Sequence, residues 1–288
     1  MENINIKLSP QFWRDYVALR KKSLPQKKVM AGKKWDQMAK RYQNFAEDKD
    51  FIAELKWLKT GMLNRNMLGT DLDVLDMSCG PGTHCFSFAE ICHQVTAVDV
   101  SEKMVAQVEL QKKSSRTKNL TVLCQDFVDF QTSGLYDTVF VSMSPILNEL
   151  SNVGRLLAMS RRNLVLTYWA GVRENPLFQR CYRLIYESEY SFDALDLTII
   201  FNYLDALGFS PEISYLHPVW RRRDTLENTI NYIVWHLEFY RELTVSEKIA
   251  VRKLVASEAD SDGMVTYFTR VRKGALFLDK KSGFSPIE

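Results

Sequence analysis

The feature that most constrains this chain is a passage from an apolar run into a glycine turn, Val74-Leu75-Asp76-Met77-Ser78-Cys79-Gly80-Pro81-Gly82-Thr83. Seventeen residues after Gly82, a second apolar run ends in Asp99. A short apolar run closed by glycines reads as a strand that delivers bare backbone to the carboxyl edge of a sheet. Ligands of open α/β sheets bind at that edge. Glycine is needed where a Cβ would hold the backbone away from a ligand. An acid ending the next strand suits a ribose, whose two vicinal hydroxyls can each donate to one carboxylate oxygen.

The rest of the chain supports a layered α/β architecture. Strands are expected at Leu72 to Met77, Val95 to Asp99, Leu120 to Cys124, Thr138 to Val141, Leu164 to Tyr168, Ile213 to Leu216 and Met264 to Phe268, with Arg270 to Leu278 continuing the last or doubling back. Helical segments separate the first five, which argues for parallel βαβ units with helices on both faces. Ser101 is placed to cap the second of these helices, and Gly208 to stop a helix over Ala194 to Leu207. Asp224-x-x-Glu227 and Thr244-x-x-Glu247 read as capping boxes opening two further helices. Before the first strand, Phe51, Ile52, Leu55, Leu58 and Met62 recur at helical spacing, behind a basic loop from Arg20 to Lys34.

Composition excludes several classes. With 46% hydrophobic and 25% charged residues the chain can build a core and is no disordered polymer. No stretch reaches the ~18 consecutive apolar residues of a membrane span, and Met1 to Pro10 lacks a secretory layout, so a cytoplasmic location is expected. Thirty-eight basic against 35 acidic side chains is too balanced to demand a polyanion. Five cysteines without C-x-x-C spacing suggest neither a disulfide framework nor a zinc site. His84, Cys85 and Cys92-His93 lack a four-ligand spacing, so no metal is expected.

Two cofactor classes fit the turn. A nicotinamide dinucleotide calls for G-x-G-x-x-G, but Cys85 stands where the third glycine belongs. Asp76 is also a poor neighbour for a pyrophosphate, whereas a ligand with an ammonium and a sulfonium would welcome it. The residues favour S-adenosylmethionine over NAD.

D-x-x-C-G-x-G after a strand, with Asp99 ending the next, resembles the class I S-adenosylmethionine-dependent methyltransferase family. Asp126-Phe127 after the third strand, Tyr136-Asp137-Thr138-Val139-Phe140-Val141, and Trp35-Asp36-x-x-Ala39-x-x-Tyr42 extend the resemblance over about residues 35 to 170. It implies a Rossmann-like sheet of seven strands with helices on both faces. An N-terminal helical lid would occupy residues 1–68, the core 69–220 and 261–280, and a helical insertion between strands six and seven, 221–260, would cap the acceptor. It further implies that Gly80 and Gly82 line the methionine moiety, with Asp76 at its amino group. Asp99 would hold the ribose and Asp126 the adenine, beside Met104 and Phe127. Tyr42, Val100 and Ser142 complete the expected cofactor set.

The acceptor half is less legible. Ser142-Met143-Ser144-Pro145 departs from the Asn/Asp-Pro-Pro-aromatic tetrad of nucleobase and glutamine N-methyltransferases, which leaves the acceptor atom open. Trp35, Tyr168, Trp169 and Trp220 are candidate acceptor-pocket residues, and His217 is the candidate general base. Cys79 reads as a packing residue, Glu149 as a solvated acid and Arg221-Arg222-Arg223 as a solvated turn. The expected reaction is methyl transfer to a small organic acceptor. The alternatives are an RNA or protein methyltransferase using the basic 20–34 loop, a non-catalytic protein binding the cofactor or its demethylated product, and a nicotinamide oxidoreductase. Oligomeric state stays open.

Overall fold

The computed structural model describes residues 8–23, 35–39, 49–132, 134–190 and 195–282. Tyr42 and most of the basic loop, residues 24–34, lie outside them. In chain order the elements are α1 (Pro10–Ser23), α2 (Lys49–Leu63), β1 (Asp73–Met77), α3 (Cys85–Ala89), β2 (Gln94–Asp99), α4 (Glu102–Ser115), β3 (Leu120–Cys124) and β4 (Tyr136–Ser142). Then come α5 (Leu150–Met159), β5 (Ser160–Glu174), α6 (Pro176–Tyr186), α7 (Leu197–Ala206), β6 (Glu212–Leu216), β7 (Val219–Thr225), α8 (Leu226–Leu237), α9 (Val245–Ala256) and β8 (Met264–Asp279).

One sheet runs in the order β3-β2-β1-β4-β5-β8-β6, with β7 added on β8. The first five strands are parallel and β8 is antiparallel to its neighbours. Both faces are covered, which is why the central strands are apolar at nearly every position. On one face Leu75, Met77, Val139, Leu164 and Leu276 meet Leu156 of α5 and Ile200 of α7. On the other, Val74, Phe140, Val165 and Phe277 meet Leu58 and Met62 of α2 and Phe88 of α3. Each fully buried side chain of this kind contributes about 1.5–3 kcal/mol.

The helix signals hold where side chains can be followed. Ser101 Oγ accepts from the Met104 amide at 3.2 Å, and Thr244 and Glu247 form the reciprocal capping box. Asp196 caps α7, so that helix starts at Leu197 rather than Ala194.

Two expectations need correction. The sheet has eight strands, not seven, because Val219–Thr225 is a strand and not a solvated turn with Asp224 capping a helix. Its arginines alternate between the two faces, and pairing of Asp224 with Val265 holds that acid in extended backbone. The cap is accordingly Thr225, whose Oγ accepts from the Asn228 amide. The residues after Arg270 continue the last strand, making β8 sixteen residues long.

β5 outruns β4, whose last pair is Ser142 with Thr167, and stays paired with β8 as far as Glu174. The sheet therefore extends past the carboxyl edge of its parallel core. A third core forms on that extension from Leu177, Cys181 and Tyr182 of α6, Ile230 and Ile233 of α8, Val251 and Val255 of α9, and Val265 and Tyr267 of β8. It stands above the edge where the glycine turn lies. The N-terminal region is no single layer. Val17 of α1 packs on one face of the sheet and Leu58 of α2 on the other, and residues 35–39 lie between them in sequence.

Candidate cofactor and acceptor site

The turn after β1 holds Ser78, Gly80 and Gly82 at positive φ (62°, 56° and 90°). Across from it, Met143 after β4 is also at positive φ, 52°, and Ser144 Oγ donates to Ser78 Oγ at 2.9 Å. Two non-glycine residues in the left-handed region at adjacent strand ends mark a site where geometry overrides local preference.

The two glycines differ in role. A Cβ on Gly82 would stand 2.8 Å from the Phe86 ring, so this glycine serves packing. A Cβ on Gly80 would meet nothing within 4 Å. Gly80→Ala is therefore expected to fold, at a cost of about 1–2 kcal/mol for its left-handed backbone, while its methyl intrudes on ligand space. A titration with S-adenosylhomocysteine should show roughly tenfold weaker binding, and unchanged affinity would mean the space over Gly80 is not the ligand's.

Asp99 is nearly buried, and both its oxygens accept from backbone, Gly80 N–H at 2.8 Å and Ser101 N–H at 2.9 Å. A carboxylate oxygen has a second lone pair, so each remains able to accept from a hydroxyl. Burial pushes the Asp99 carboxyl above its ordinary range, opposed by the amides of Ser101, Gly80 and Val100. Asp36 adds to the upward push. Its Oδ1 accepts from Ser101 Oγ at 2.5 Å and from the Lys103 amide at 3.1 Å, seating it at the N-terminus of α4. An acid there complements the unsatisfied amides of the helix start.

Asp76 is 1% exposed and its Oδ2 has no hydrogen-bond partner among the described residues. Burial first, then the neighbouring Asp99 carboxylate, push it up to about 8, against one lowering contact with the Cys85 amide. An orphaned carboxylate oxygen beside an open glycine turn fits a ligand that brings an ammonium to bare backbone.

The other cofactor candidates fall in different places. Met104 is buried behind the Ser101 cap, Val100 is half-buried, and Ser142 Oγ bonds Thr167 Oγ1 at 2.8 Å. Asp126 is exposed at the end of β3, with Oδ1 accepting from the Val128 amide. Phe127 packs into the core beneath the Arg155 guanidinium, 4.6 Å from its ring. The Cys79 and Cys85 thiols are pushed up by burial, so neither is a nucleophile near neutral pH. His84 is driven down to about 3 by burial and by Lys273, and its ring packs edge-on against Phe140. No cluster of metal-ligating side chains occurs among the described residues.

Strand register places the acceptor candidates. Asp76 is opposite Phe140, Phe140 opposite Val165, and Val165 opposite Phe277, so all four share one face. Further up that face, beyond the carboxyl edge, stand Trp169 and its partner Lys273. Trp169 meets Trp220 edge-on at 5.9 Å, and Trp220 Nε1 donates to Glu54 Oε1 at 2.8 Å. Glu54 also takes the buried Lys273 ammonium at 3.1 Å. Trp35 packs against Trp235 of α8 at 5.6 Å, so residues 35–39 touch both the Asp99 end and the cap.

Tyr168 is placed apart from these. It points into the opposite core, and its hydroxyl donates to Asn148 Oδ1 at 2.7 Å. His217 is exposed beyond β6, and Glu149 pairs with Lys21. Sequence reasoning missed Glu54, Arg173, His236 and Lys273. Arg173 lies 4.8 Å over the Trp169 ring, and His236 Nδ1 sits 2.8 Å from the Tyr232 carbonyl.

Comparison with known proteins bears on this geometry. Residues 74–165 match the family model described as a methyltransferase domain. Among solved structures, a Bacillus halodurans C-125 protein assigned as a methyltransferase is 15% identical, covering 77% of this chain and 97% of its own, with a TM-score of 0.50. Magnesium protoporphyrin IX methyltransferase from Synechocystis PCC 6803, solved with S-adenosylhomocysteine, is 17% identical over 92% of this chain and 98% of its own, with a TM-score of 0.44. The N-methyltransferase NodS from Bradyrhizobium japonicum WM9 is 11% identical over 82% and 90%, with a TM-score of 0.45. No curated protein matches the sequence. Residues 74–165 thus match a methyltransferase domain, and the sheet built around them shares the fold of the Bacillus halodurans protein.

Proposed function

We propose that this protein transfers a methyl group from S-adenosylmethionine to a small organic acceptor. The observation that carries the reading is the orphaned, buried Asp76 oxygen beside the open turn at Gly80. S-adenosylmethionine supplies, when bound, a methyl group already activated by its sulfonium. The chain's own part is binding, orientation and exclusion of water. Asp76 would hold the ammonium, Asp99 the ribose and Asp126 the adenine amino group. Holding two reactants in line can supply about 7–11 kcal/mol of a barrier without an obligatory side-chain catalyst. The cap above the carboxyl edge favours a small acceptor over a polymer, because its core occupies the approach a bulky chain would need.

The test is a calorimetric titration of the full chain with S-adenosylmethionine, S-adenosylhomocysteine and NADH. Micromolar binding of both adenosyl compounds, with none of NADH, is expected. A preference for NADH would remove the proposal. Salt-sensitive binding to RNA together with turnover on it would replace the small acceptor by a polymer.

A further inference from the structure

α1 is apolar on two sides. Its inner side is docked: Val17 is buried in the sheet core with Trp13 packed against that core, and Arg14 donates to the Tyr203 hydroxyl of α7 at 3.1 Å. Its outer side carries Phe12, Tyr16 and Leu19, which are 41%, 38% and 69% exposed, and Leu8, 42% exposed, stands just before the first turn. At 3.6 residues per turn the centre of Phe12, Tyr16 and Leu19 falls roughly 130° round the helix from Val17. The Phe12 and Tyr16 rings stack at 6.2 Å, so the row is one surface and not a scatter of side chains. Single exposed apolar residues are ordinary, but a row of them on a helix already docked by its other side marks a contact surface.

The charge pattern identifies what the row meets. Arg20, Lys21 and Lys22 fill the last turn of α1, and Asp15 is its single acid. The Arg20 guanidinium lies 5.8 Å from the Tyr16 ring, which sets a cation at the border of the row. From Arg20 to Lys34 the sequence has seven basic side chains and no acidic one, whereas the net charge of the whole chain is only +3. Positive charge is thus concentrated where the apolar row ends. Leucine and aromatic side chains bordered by lysine and arginine are the pattern of a helix lying in a lipid interface, with its rings at headgroup level. A neutral protein surface would use the row and leave the cations without purpose; an anionic bilayer uses both. No helix among the described residues is long and apolar enough to cross a membrane, so such a contact is with the surface.

We propose that α1 docks this protein on the surface of an anionic phospholipid bilayer. Leu8, Phe12, Tyr16 and Leu19 enter the headgroup boundary, and the net positive charge of residues 20–34 is drawn to the lipid phosphates. α1 packs on the sheet face opposite the one that carries Asp76. The docking is therefore independent of the methyl-transfer reading.

The test is flotation of the full chain with vesicles of pure phosphatidylcholine, and with vesicles of equal parts phosphatidylcholine and phosphatidylglycerol. The mixed vesicles should bind about tenfold or more tightly than the neutral ones, and rising salt should release the chain. Leu19→Glu puts a charge into the row and should weaken binding to the mixed vesicles about tenfold or more, whereas Leu19→Phe should retain it. Leu19 is mostly exposed, so both variants should melt as the native chain does, which reports that they are folded. No binding to the mixed vesicles, equal binding to both kinds, or binding undiminished in Leu19→Glu overturns the docking. A native dimer that Leu19→Glu dissociates in sedimentation also overturns it, because the row would then belong to a second copy of the chain.

Discussion

Replacing Asp99 by alanine is expected to weaken S-adenosylhomocysteine binding by about 10- to 100-fold, the loss of one charge-assisted hydrogen bond or more. The side chain works on both sides of the pocket wall. Its two oxygens fasten the turn at Gly80 to the start of α4 at Ser101, and each keeps a lone pair that a ribose hydroxyl would use. Alanine leaves both amides without that acceptor, which costs roughly 1–3 kcal/mol where water cannot replace it. The thermal midpoint should fall by several degrees at the slope of about 2–4 °C per kcal/mol for domains of this size. Asp99→Asn keeps one acceptor oxygen, so it should recover part of the stability and little of the affinity. A melt and a titration on the three proteins check this. Native-like affinity in Asp99→Ala would show that the ribose is held elsewhere.

Asp76→Asn should do something less common, raising stability while lowering affinity. In the folded protein this carboxyl titrates near 8, against 3.8 for an exposed aspartate. A group raised on folding stabilises fully below its unfolded value, and that contribution is lost as pH rises through the folded value. The native chain therefore loses stability from this group between about pH 4 and pH 8, and asparagine does not. The variant's advantage should grow across that window and level off above pH 8. Ligand binding carries the opposite sign. An ammonium favours the ionised carboxylate, so S-adenosylhomocysteine affinity should rise from pH 6 to pH 8, with proton release on binding. Calorimetry in buffers of different ionisation enthalpy measures that release directly. Asp76→Asn should release none and bind about 10- to 100-fold more weakly. PH-independent affinity in the native chain would place the ammonium away from Asp76.

The glycine turn with its two acids was readable because it is local. Asp76, Gly80, Gly82 and Asp99 fall on one strand–turn–helix–strand unit, where spacing alone fixes neighbours in space. The cluster beyond the carboxyl edge joins Glu54 of α2, Trp169 and Arg173 of β5, Trp220 of β7 and Lys273 of β8. Glu54 and Lys273 are 219 residues apart, and only the completed sheet brings them together. β7 escaped notice because Arg221, Arg222 and Arg223 hide a two-residue alternation that pairing with β8 enforces. Tyr168 and Trp169 illustrate the sharpest limit. Adjacent strand residues point to opposite faces, and without the register nothing says which of the two faces the cleft.

The shared strands have a mechanical consequence. β5 and β8 pass from the parallel core into the cap and are paired on both sides of an irregularity between Trp169 and Val172, so the roof of the cleft is tied to its floor by hydrogen-bonded ladder. A roof held this way moves only at the expense of strand pairing. Traffic through the cleft must then be governed from the side, where Trp35 rests on Trp235 and Asp36 grips the first turn of α4. Ring contacts to Trp235 and Phe239 and the hydrogen bonds of one carboxylate are easier to release than a sheet. Turnover in this protein would accordingly be paced by the grip of residues 35–39, and a change at Asp36 would register in product release before it registered in the methyl-transfer step.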